Sequence, residues 1–151
     1  MRLNNKDTGC YVLVVCVELP CWIKAGKLSE REFEKGLYLY IGRAKRNLRG
    51  RLARHLRAEK KLFWHIDYLL QQAFIEKIWC RLAYFDECRI FSSILKVCGK
   101  TCLAIPGFGA SDCRCPSHLI QYSGERSFLA CSLNSIHLRE VPIDDIDNNP
   151  I

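Results

Sequence analysis

Apolar residues in the first third of the chain follow the pattern of buried strands. Residues 9–19 form a β-branched, apolar run bounded by a glycine and a proline, so we expect a buried central strand there. Residues 37–41 are the next predicted strand, antiparallel to the first. Between them, residues 22–26 are predicted as a short paired strand or the start of a loop. Residues 29–35 are predicted as a polar turn or a single helical turn.

Helix signals follow the second strand. Asn47 is a candidate N-cap, and the leucines at 48, 52 and 56 recur at every fourth position to give one apolar stripe. Arg51 and His55 are also four residues apart, so they share a neighbouring face of this helix. Residues 64–72 are predicted as a second helix.

The remaining pattern predicts one more long strand and one well-delimited helix. Residues 75–85 alternate between apolar and polar positions, which is typical of a strand. Asp86 is a candidate N-cap for a helix over residues 87–98, and Gly99 suits the position that ends it. This order of elements predicts an α+β fold, with a small central antiparallel or mixed sheet flanked by helices.

Length and composition favour a single domain over residues 1–140. The 151 residues include 49% apolar positions, enough for one modest core. The last third is loop-rich, with short strands predicted at 118–122 and 128–133. Residues 141–151 form an acidic tail that we expect to be flexible.

The start of the chain shows no apolar segment behind a basic one, and no apolar run is long enough to span a bilayer. We therefore expect a cytoplasmic protein with no membrane partner. In that compartment most of the ten cysteines, Cys88 among them, are expected to be reduced and to serve as small buried apolar residues.

Positive charge is concentrated in one segment. Between Arg43 and Lys61 there are nine Lys or Arg residues and one acid, Glu59, whereas the end of the chain carries only acids. A basic patch of this density favours a polyanion partner, most often a nucleic acid, although a solvated helix face is the alternative. The candidate nucleic-acid contacts are Arg43, Lys45, Arg46, Arg54, Lys60 and Lys61.

Two tripeptides in this order, Gly9-Cys10-Tyr11 and Tyr40-Ile41-Gly42, resemble the motifs of the GIY-YIG nuclease superfamily. Downstream, Arg51, His55 and Glu87 match the positions of that family's catalytic Arg, its following Tyr or His, and its metal-binding Glu. Three further motifs resemble an uncharacterised GIY-YIG subfamily, and the resemblance spans residues 9–122. They are His-Ile-Asp-Tyr-Leu at 65–69, Glu-Cys at 87–88 and Gly-Phe-Gly-Ala-Ser-Asp-Cys-Arg-Cys-Pro-Ser-His-Leu at 107–119.

The resemblance implies a metal-dependent endonuclease that hydrolyses phosphodiester bonds in DNA, with Mg²⁺ or Mn²⁺ held by Glu87. Arg51 would hold the scissile phosphate, and Tyr11, Tyr40 and His55 would manage the proton. A free phenol is almost entirely neutral at pH 7, and a cation such as Arg43 or the metal ion would reduce the free-energy cost of forming the phenolate that acts as a base. Branched or damaged DNA is as compatible with the sequence as plain duplex, and the oligomeric state is left open.

Two departures from the GIY-YIG pattern favour an alternative, a non-catalytic nucleic-acid-binding module derived from a nuclease fold. Tyr11 and Tyr40 lie 29 positions apart, more than the usual hairpin, so residues 20–35 are an insertion. No Asn lies between Asn47 and Asn134 to match the late Asn of many members. Ser111, Asp112 and His118 are the candidates to replace it.

A zinc-binding adaptor is a third hypothesis for the function of this protein. Cys113, Cys115 and His118 form a Cys-x-Cys-x-x-His cluster, but zinc normally needs four ligands. Shaping a loop beside the site is therefore the stronger interpretation of this cluster. His65 and Asp67, two positions apart, do not share a helix face, which favours a structural cap or hydrogen-bond role over catalysis.

Overall fold

The computed structural model describes residues 1–111 and 113–147 and shows an α+β fold, as predicted. The described residues form β1 (Gly9–Val17), β2 (Cys21–Ile23), β3 (Arg31–Phe33), β4 (Gly36–Ala44), α1 (Leu48–Leu56), α2 (His65–Leu69), β5 (Phe74–Leu82), α3 (Glu87–Cys98), a 3₁₀ turn (Gly99–Thr101), β6 (Cys102–Ala104), β7 (Leu119–Tyr122), α4 (Arg126–Ser135), β8 (Arg139–Val141) and α5 (Ile143–Asp147).

A six-stranded antiparallel sheet forms the centre of the fold, in the order β6-β7-β4-β1-β5-β8. β1 pairs with β4 on one side and with β5 on the other, which confirms the prediction of a buried central strand. Because side chains alternate along a strand, Tyr11 and Leu13 pack on one face, towards α1 and α2. Cys10 and Val12 pack on the other face, towards α3 and α4.

Helix α1 begins where the sequence places it. Asn47 adopts a left-handed conformation with φ 45°, and its side-chain oxygen accepts a hydrogen bond from Gly50 N at 3.0 Å. A Cβ on Gly50 would collide with the Asn47 side chain, so this glycine leaves room for the cap. Leu48 and Leu52 are fully buried beneath the helix.

The caps of α3 also match the sequence. Asp86 accepts a hydrogen bond from Arg89 N at 3.0 Å, and Gly99 ends the helix with φ 53°. Ile90 and Ile94 bury the inner face of the helix against the sheet. These caps fix Glu87 as the first residue of α3, on a helix whose position the core determines.

Two segments differ from the predictions. Residues 31–33, expected to lie in a polar turn or a single helical turn, form β3, which pairs with β2 in a separate two-stranded sheet. The prediction of a strand at 128–133 is wrong, because these residues lie in α4. Leu129 and Leu133 are four residues apart and both buried, and Ser132 Oγ donates back to Phe128 O, as helix spacing allows.

The C-terminal segment also differs from the expected flexible tail. Residues 143–147 form α5, and Ile146 is buried against the core. Arg49, itself buried on α1, donates from Nη2 to Ile146 O at 3.1 Å and ties the two helices together. Residues 148–151 lie outside the described residues, as does Asp112, one of the candidates to replace the late Asn. In the part of the chain described here, no helix has the length and apolar character that crossing a membrane requires.

Candidate functional site

The structure brings the predicted site residues to one cleft of about 390 Å³ beside β1 and β4. Tyr11 and Tyr40 reach it from the sheet, Arg51 from α1 and Glu87 from the first turn of α3. Arg43, near the end of β4, also lines the cleft. These predicted site residues, up to 76 positions apart in sequence, therefore meet at one cleft. His55 does not line the cleft but contacts Tyr11 through a hydrogen bond.

The glycine of Tyr40-Ile41-Gly42 makes room for a cleft tyrosine. The register of β1 and β4 places Tyr11 opposite Gly42, and the Tyr11 ring lies across the glycine. A Cβ at this position would collide with Cζ and Oη of Tyr11. Space, rather than an unusual backbone conformation, therefore requires glycine here.

A Gly42→Ala variant is expected to lose about 1–3 kcal/mol of unfolding free energy, because the added methyl overpacks the Tyr11 ring. Urea denaturation measures this loss. In a double-mutant cycle with Tyr11→Ala, the double variant should lose less than the sum of the single losses, since the ring is already gone. Additive losses would show that the methyl group acts elsewhere.

A buried hydrogen bond joins Tyr11 to His55. Tyr11 Oη and His55 Nε2 are 2.7 Å apart, and both residues are about 2% exposed. Burial lowers the pKa of His55 to about 3, only partly opposed by Asp67, so the imidazole is neutral at pH 7. This behaviour differs from the near-neutral titration that a free histidine would show.

The second ring nitrogen of His55 indicates which tautomer is present. Within residues 1–111 and 113–147, Nδ1 is buried and has no hydrogen-bond partner. Orphaned buried N–H groups are rarer than under-satisfied acceptors, so we assign the proton to Nε2. His55 then donates to Tyr11 Oη, and the hydrogen of the Tyr11 hydroxyl is left to point towards other groups at the cleft.

Tyr11 is a neutral phenol at pH 7 in this environment. Burial raises its pKa well above the usual value, and Tyr40 and Glu87 raise it further. Arg51 opposes the shift but does not overcome it. The cation that lowers the pKa of Tyr11 is Arg51 and not Arg43. Its effect is smaller than that of burial. A further positive charge is needed before Tyr11 can act as a base.

Arg51 is held in a fixed direction on the wall of the cleft. It donates from Nη1 to the backbone oxygen of Arg43, and its guanidinium carbon lies 4.9 Å from the centroid of the Trp64 ring. A guanidinium fixed in this way loses little conformational freedom when it binds an anion. The geometry suits recognition of a phosphate group.

Glu87 presents its carboxylate to the same cleft. Its side chain is 14% exposed and lies 3.5 Å from Arg43 Nε and 3.8 Å from His118 Nδ1. Mg²⁺ and Mn²⁺ prefer oxygen ligands, and Mg²⁺ in particular takes one or two carboxylates and completes its shell with water and phosphate. A single carboxylate at an open, polar cleft is therefore compatible with such an ion.

The candidate nucleic-acid contacts divide into two groups. Arg54 forms two hydrogen bonds with the carboxylate of Asp67, at 3.0 and 2.9 Å, and Lys60 donates to the backbone oxygens that end α1. Both side chains therefore make intramolecular hydrogen bonds in the structure. Lys45, Arg46 and Lys61 are exposed, so they are the residues accessible to a polyanion around Arg43 and the cleft.

Aromatic residues before α2 were not singled out as site residues from the sequence. Phe63 and Trp64 line the cleft, and Phe63 is 75% exposed. The sequence feature that could have identified them is a pair of adjacent aromatic residues beside the basic segment. This combination is typical of protein surfaces that bind nucleic acid. His65 also lines the cleft, and its Nδ1 accepts a hydrogen bond from Gly109 N at 2.8 Å, as a hydrogen-bonding role predicts.

A group of four metal-binding side chains lies on the other side of Glu87. Ligand atoms of Cys88, Cys113, Cys115 and His118 all lie within 4.8 Å of one another, so the cluster can hold a metal ion. The fourth ligand, Cys88, was missed because it is far from the others in sequence. In the structure the sulfurs of Cys88 and Cys115 are joined as a disulfide, whereas reduced thiols were expected.

One family model matches the chain. It is described as Domain of unknown function DUF123 and matches residues 10–140. No curated protein and no solved structure matches the chain.

Proposed function

The chain belongs to the DUF123 family, a domain of unknown function, and we propose that it is a GIY-YIG-type endonuclease that hydrolyses phosphodiester bonds in DNA with Mg²⁺ or Mn²⁺. The observation that supports this most is the meeting of Tyr11, Arg51 and Glu87 on one cleft. Phosphodiester hydrolysis needs a group that binds the phosphate and a positive charge that stabilises the negative charge developing in the transition state. It also needs a base that accepts the proton of the attacking water. The cleft supplies one candidate for each.

Arg51 is the candidate for binding the scissile phosphate. Its guanidinium is already oriented by the Arg43 carbonyl and the Trp64 ring. A planar fork of N–H donors can hold two non-bridging oxygens at once. Arg51 and Glu87 line the same cleft, so a phosphate bound by Arg51 would lie in the cleft that Glu87 also lines.

Tyr11 Oη is the candidate atom for accepting a proton from the attacking water. As a phenolate it would take that proton while the water oxygen attacks phosphorus, and the ester oxygen of the broken P–O bond would leave with the bond electrons and take a proton from solvent water. Glu87 would hold a divalent ion, whose positive charge would stabilise the phosphate oxygens and make nearby phenols and water more acidic. The N–H that His55 donates to Tyr11 favours the phenolate further. Tyr40, whose ring lies 6.1 Å from that of His55, forms the adjoining wall.

The proposal is tested by incubating the protein with supercoiled, linear duplex and branched labelled DNA in the presence of Mg²⁺, Mn²⁺ or a chelator. Cut product is expected with either ion and none with the chelator. Binding to DNA with no cut product on any form would instead support a non-catalytic nucleic-acid-binding module. Cleavage that persists in the chelator would contradict a metal-dependent mechanism.

Lys45 and Arg46 are expected to contribute to DNA affinity as phosphate contacts. In the Lys45→Glu/Arg46→Glu variant, the slope of log affinity against log salt should become shallower by about 1.8, since each contact contributes about 0.9. Fluorescence anisotropy at several salt concentrations measures the slope.

The matched control is Lys96→Glu/Lys100→Glu, which makes the same charge change at exposed positions towards and beyond the far end of α3. It should bind DNA with the slope of the unmodified protein. Equal slopes in the two double variants would remove Lys45 and Arg46 from the DNA interface.

A further inference from the structure

We propose that Cys88, Cys113, Cys115 and His118 form a structural zinc site that fastens the loop between β6 and β7 to the start of α3. Zinc bonds of about 2.3 Å to sulfur and 2.0–2.1 Å to nitrogen, in a tetrahedron, place neighbouring ligand atoms about 3.5–3.8 Å apart. His118 Nε2 lies 3.5 Å from the sulfur of Cys88 and 3.4 Å from that of Cys113. These distances are close to two edges of such a tetrahedron.

The set of donors favours zinc over a simple disulfide. A disulfide between Cys88 and Cys115 uses two of the four side chains and gives Cys113 and His118 no part in the link. A zinc ion uses all four. Three thiolates and one imidazole, with no position left for water, are typical of structural zinc and unsuited to Mg²⁺, which binds oxygen. This site is therefore separate in chemistry from the ion proposed on Glu87.

Two positively charged features lie beside the cluster. Cys88 lies in the first turn of the 12-residue helix α3, where the positive end of the helix dipole favours a thiolate. Arg43 lines a surface cavity together with Cys88 and Cys113. Zinc with three thiolates and a neutral histidine would carry one net negative charge, and Arg43 contributes a positive charge to the lining of the adjoining cavity.

The site also holds one wall of the cleft. The loop from Ile105 to His118 buries Phe108 and contributes Gly109 and Ser111 to the cleft lining. Backbone hydrogen bonds close the loop on itself, among them His118 N to Phe108 O at 2.7 Å. A zinc link to Cys88 connects this closed loop to the helix that carries Glu87.

His118 joins the zinc site to Glu87. Zinc on Nε2 places the ring proton on Nδ1, and Nδ1 faces Glu87 Oε2 at 3.8 Å. Metal-bound histidines commonly point their second nitrogen at a carboxylate, which orients both groups. His118 is thus a positioning residue for Glu87, and this step, unlike the zinc site itself, rests on the proposed function.

Zinc content tests the site directly. The protein, purified with a reducing agent and no chelator, should contain one zinc per chain by plasma mass spectrometry. Zinc should fall to near zero in Cys88→Ser and in Cys113→Ser, and should stay at one per chain in Cys131→Ser, a control at an exposed free cysteine on α4. A zinc-free protein with a Cys88–Cys115 disulfide in reducing buffer would overturn the proposal.

A cobalt substitution keeps the test decisive where a serine variant fails to fold. Unmodified protein loaded with Co²⁺ in place of zinc should show the intense absorption of sulfur-to-cobalt charge transfer and the visible bands of tetrahedral coordination. A spectrum of octahedral, oxygen-bound Co²⁺ would mean that the cysteines are not ligands and would reject the site.

The positioning role of His118 is tested by binding of Mn²⁺, followed through the electron paramagnetic resonance of the free ion. Removing zinc should weaken Mn²⁺ binding by about 10–100-fold, the usual range for second-shell changes, and adding zinc should restore it. Unchanged Mn²⁺ affinity would reject the positioning role and leave the zinc site standing. Absence of Mn²⁺ binding even in zinc-loaded protein would count against the proposed function alone.

Discussion

A Glu87→Gln variant is expected to lose metal-dependent DNA cleavage, with the single-turnover rate falling by about 10³-fold. Electrostatic groups of this kind are commonly worth 10²–10³ in rate, and Glu87 is both the proposed ion ligand and the first residue of a well-capped helix. Glutamine keeps the size of the side chain and its hydrogen-bonding oxygen but removes the charge that Mg²⁺ or Mn²⁺ requires. DNA binding should remain, because the phosphate contacts are cationic.

The control for this variant is Glu76→Gln. Glu76 pairs with Arg126 through two contacts of 2.9 Å on the other side of the sheet, so its change leaves the cleft untouched. Cleavage by Glu76→Gln should equal that of the unmodified protein. Full cleavage by Glu87→Gln would place the ion on other residues and would contradict the proposed mechanism.

The parts of the fold that the sequence predicted correctly are those with strong local signals. β1 is apolar on both faces because α1 and α2 cover one face of the sheet and α3 and α4 cover the other, and the sequence shows this as an unbroken apolar run. α1 and α3 carry side-chain caps, Asn47 and Asp86, whose hydrogen bonds lie within three residues of the cap. Such signals do not depend on distant parts of the chain.

The elements that were missed depend on tertiary contacts. β3 was missed and β2 was predicted only as one of two alternatives, because each strand has three residues, too few for a period to show. They are strands because they pair with each other. The segment of α4 contains the β-favouring Phe128, the helix-favouring Arg126, Leu129, Ala130 and Leu133, and several serines that favour neither state. Its buried pair of leucines four residues apart also indicates a helix, which packs on α3 in the structure.

The candidate site shows the same division. Motif order was enough to single out Tyr11, Arg51 and Glu87, although their meeting in one cleft comes from strand register and helix placement. Sequence did not reveal that His55 is buried and neutral, because burial is a property of the fold. Charge alone could not show that Arg54 is engaged with Asp67 on a helix 13 positions away.

Asp67→Asn is expected to destabilise the protein by about 3 kcal/mol at pH 7. Asp67 is fully buried and accepts hydrogen bonds from the Arg54 guanidinium and from the backbone N–H groups of Phe63 and Trp64. Removing one member of such a pair leaves the other charge with poorer compensation, which costs about 3–5 kcal/mol when both groups are buried. Because Arg54 is partly exposed to solvent, we expect a loss at the lower end of this range of free energies.

The same pair predicts how stability changes with pH. Burial alone would raise the pKa of Asp67, but the hydrogen bonds from Arg54, Phe63 and Trp64 outweigh it and hold the pKa below its usual value. The contribution of Asp67 to stability is therefore present in full above the unfolded pKa of about 4, and it is lost as the pH falls through the folded value. The stability difference between the unmodified protein and Asp67→Asn should shrink over that acidic range.

Urea denaturation at pH 7 and at several values below pH 4 measures this difference, with Asp144→Asn as the control. Asp144 is exposed on α5, so the same chemical change should cost about 0.5 kcal/mol or less at every pH. A difference for Asp67→Asn that is equally large at pH 7 and in acid would mean that lost packing, and not lost charge, causes the destabilisation. Because Arg54 also lies 4.4 Å from the Trp64 ring at the cleft, loss of its partner should loosen that wall as well.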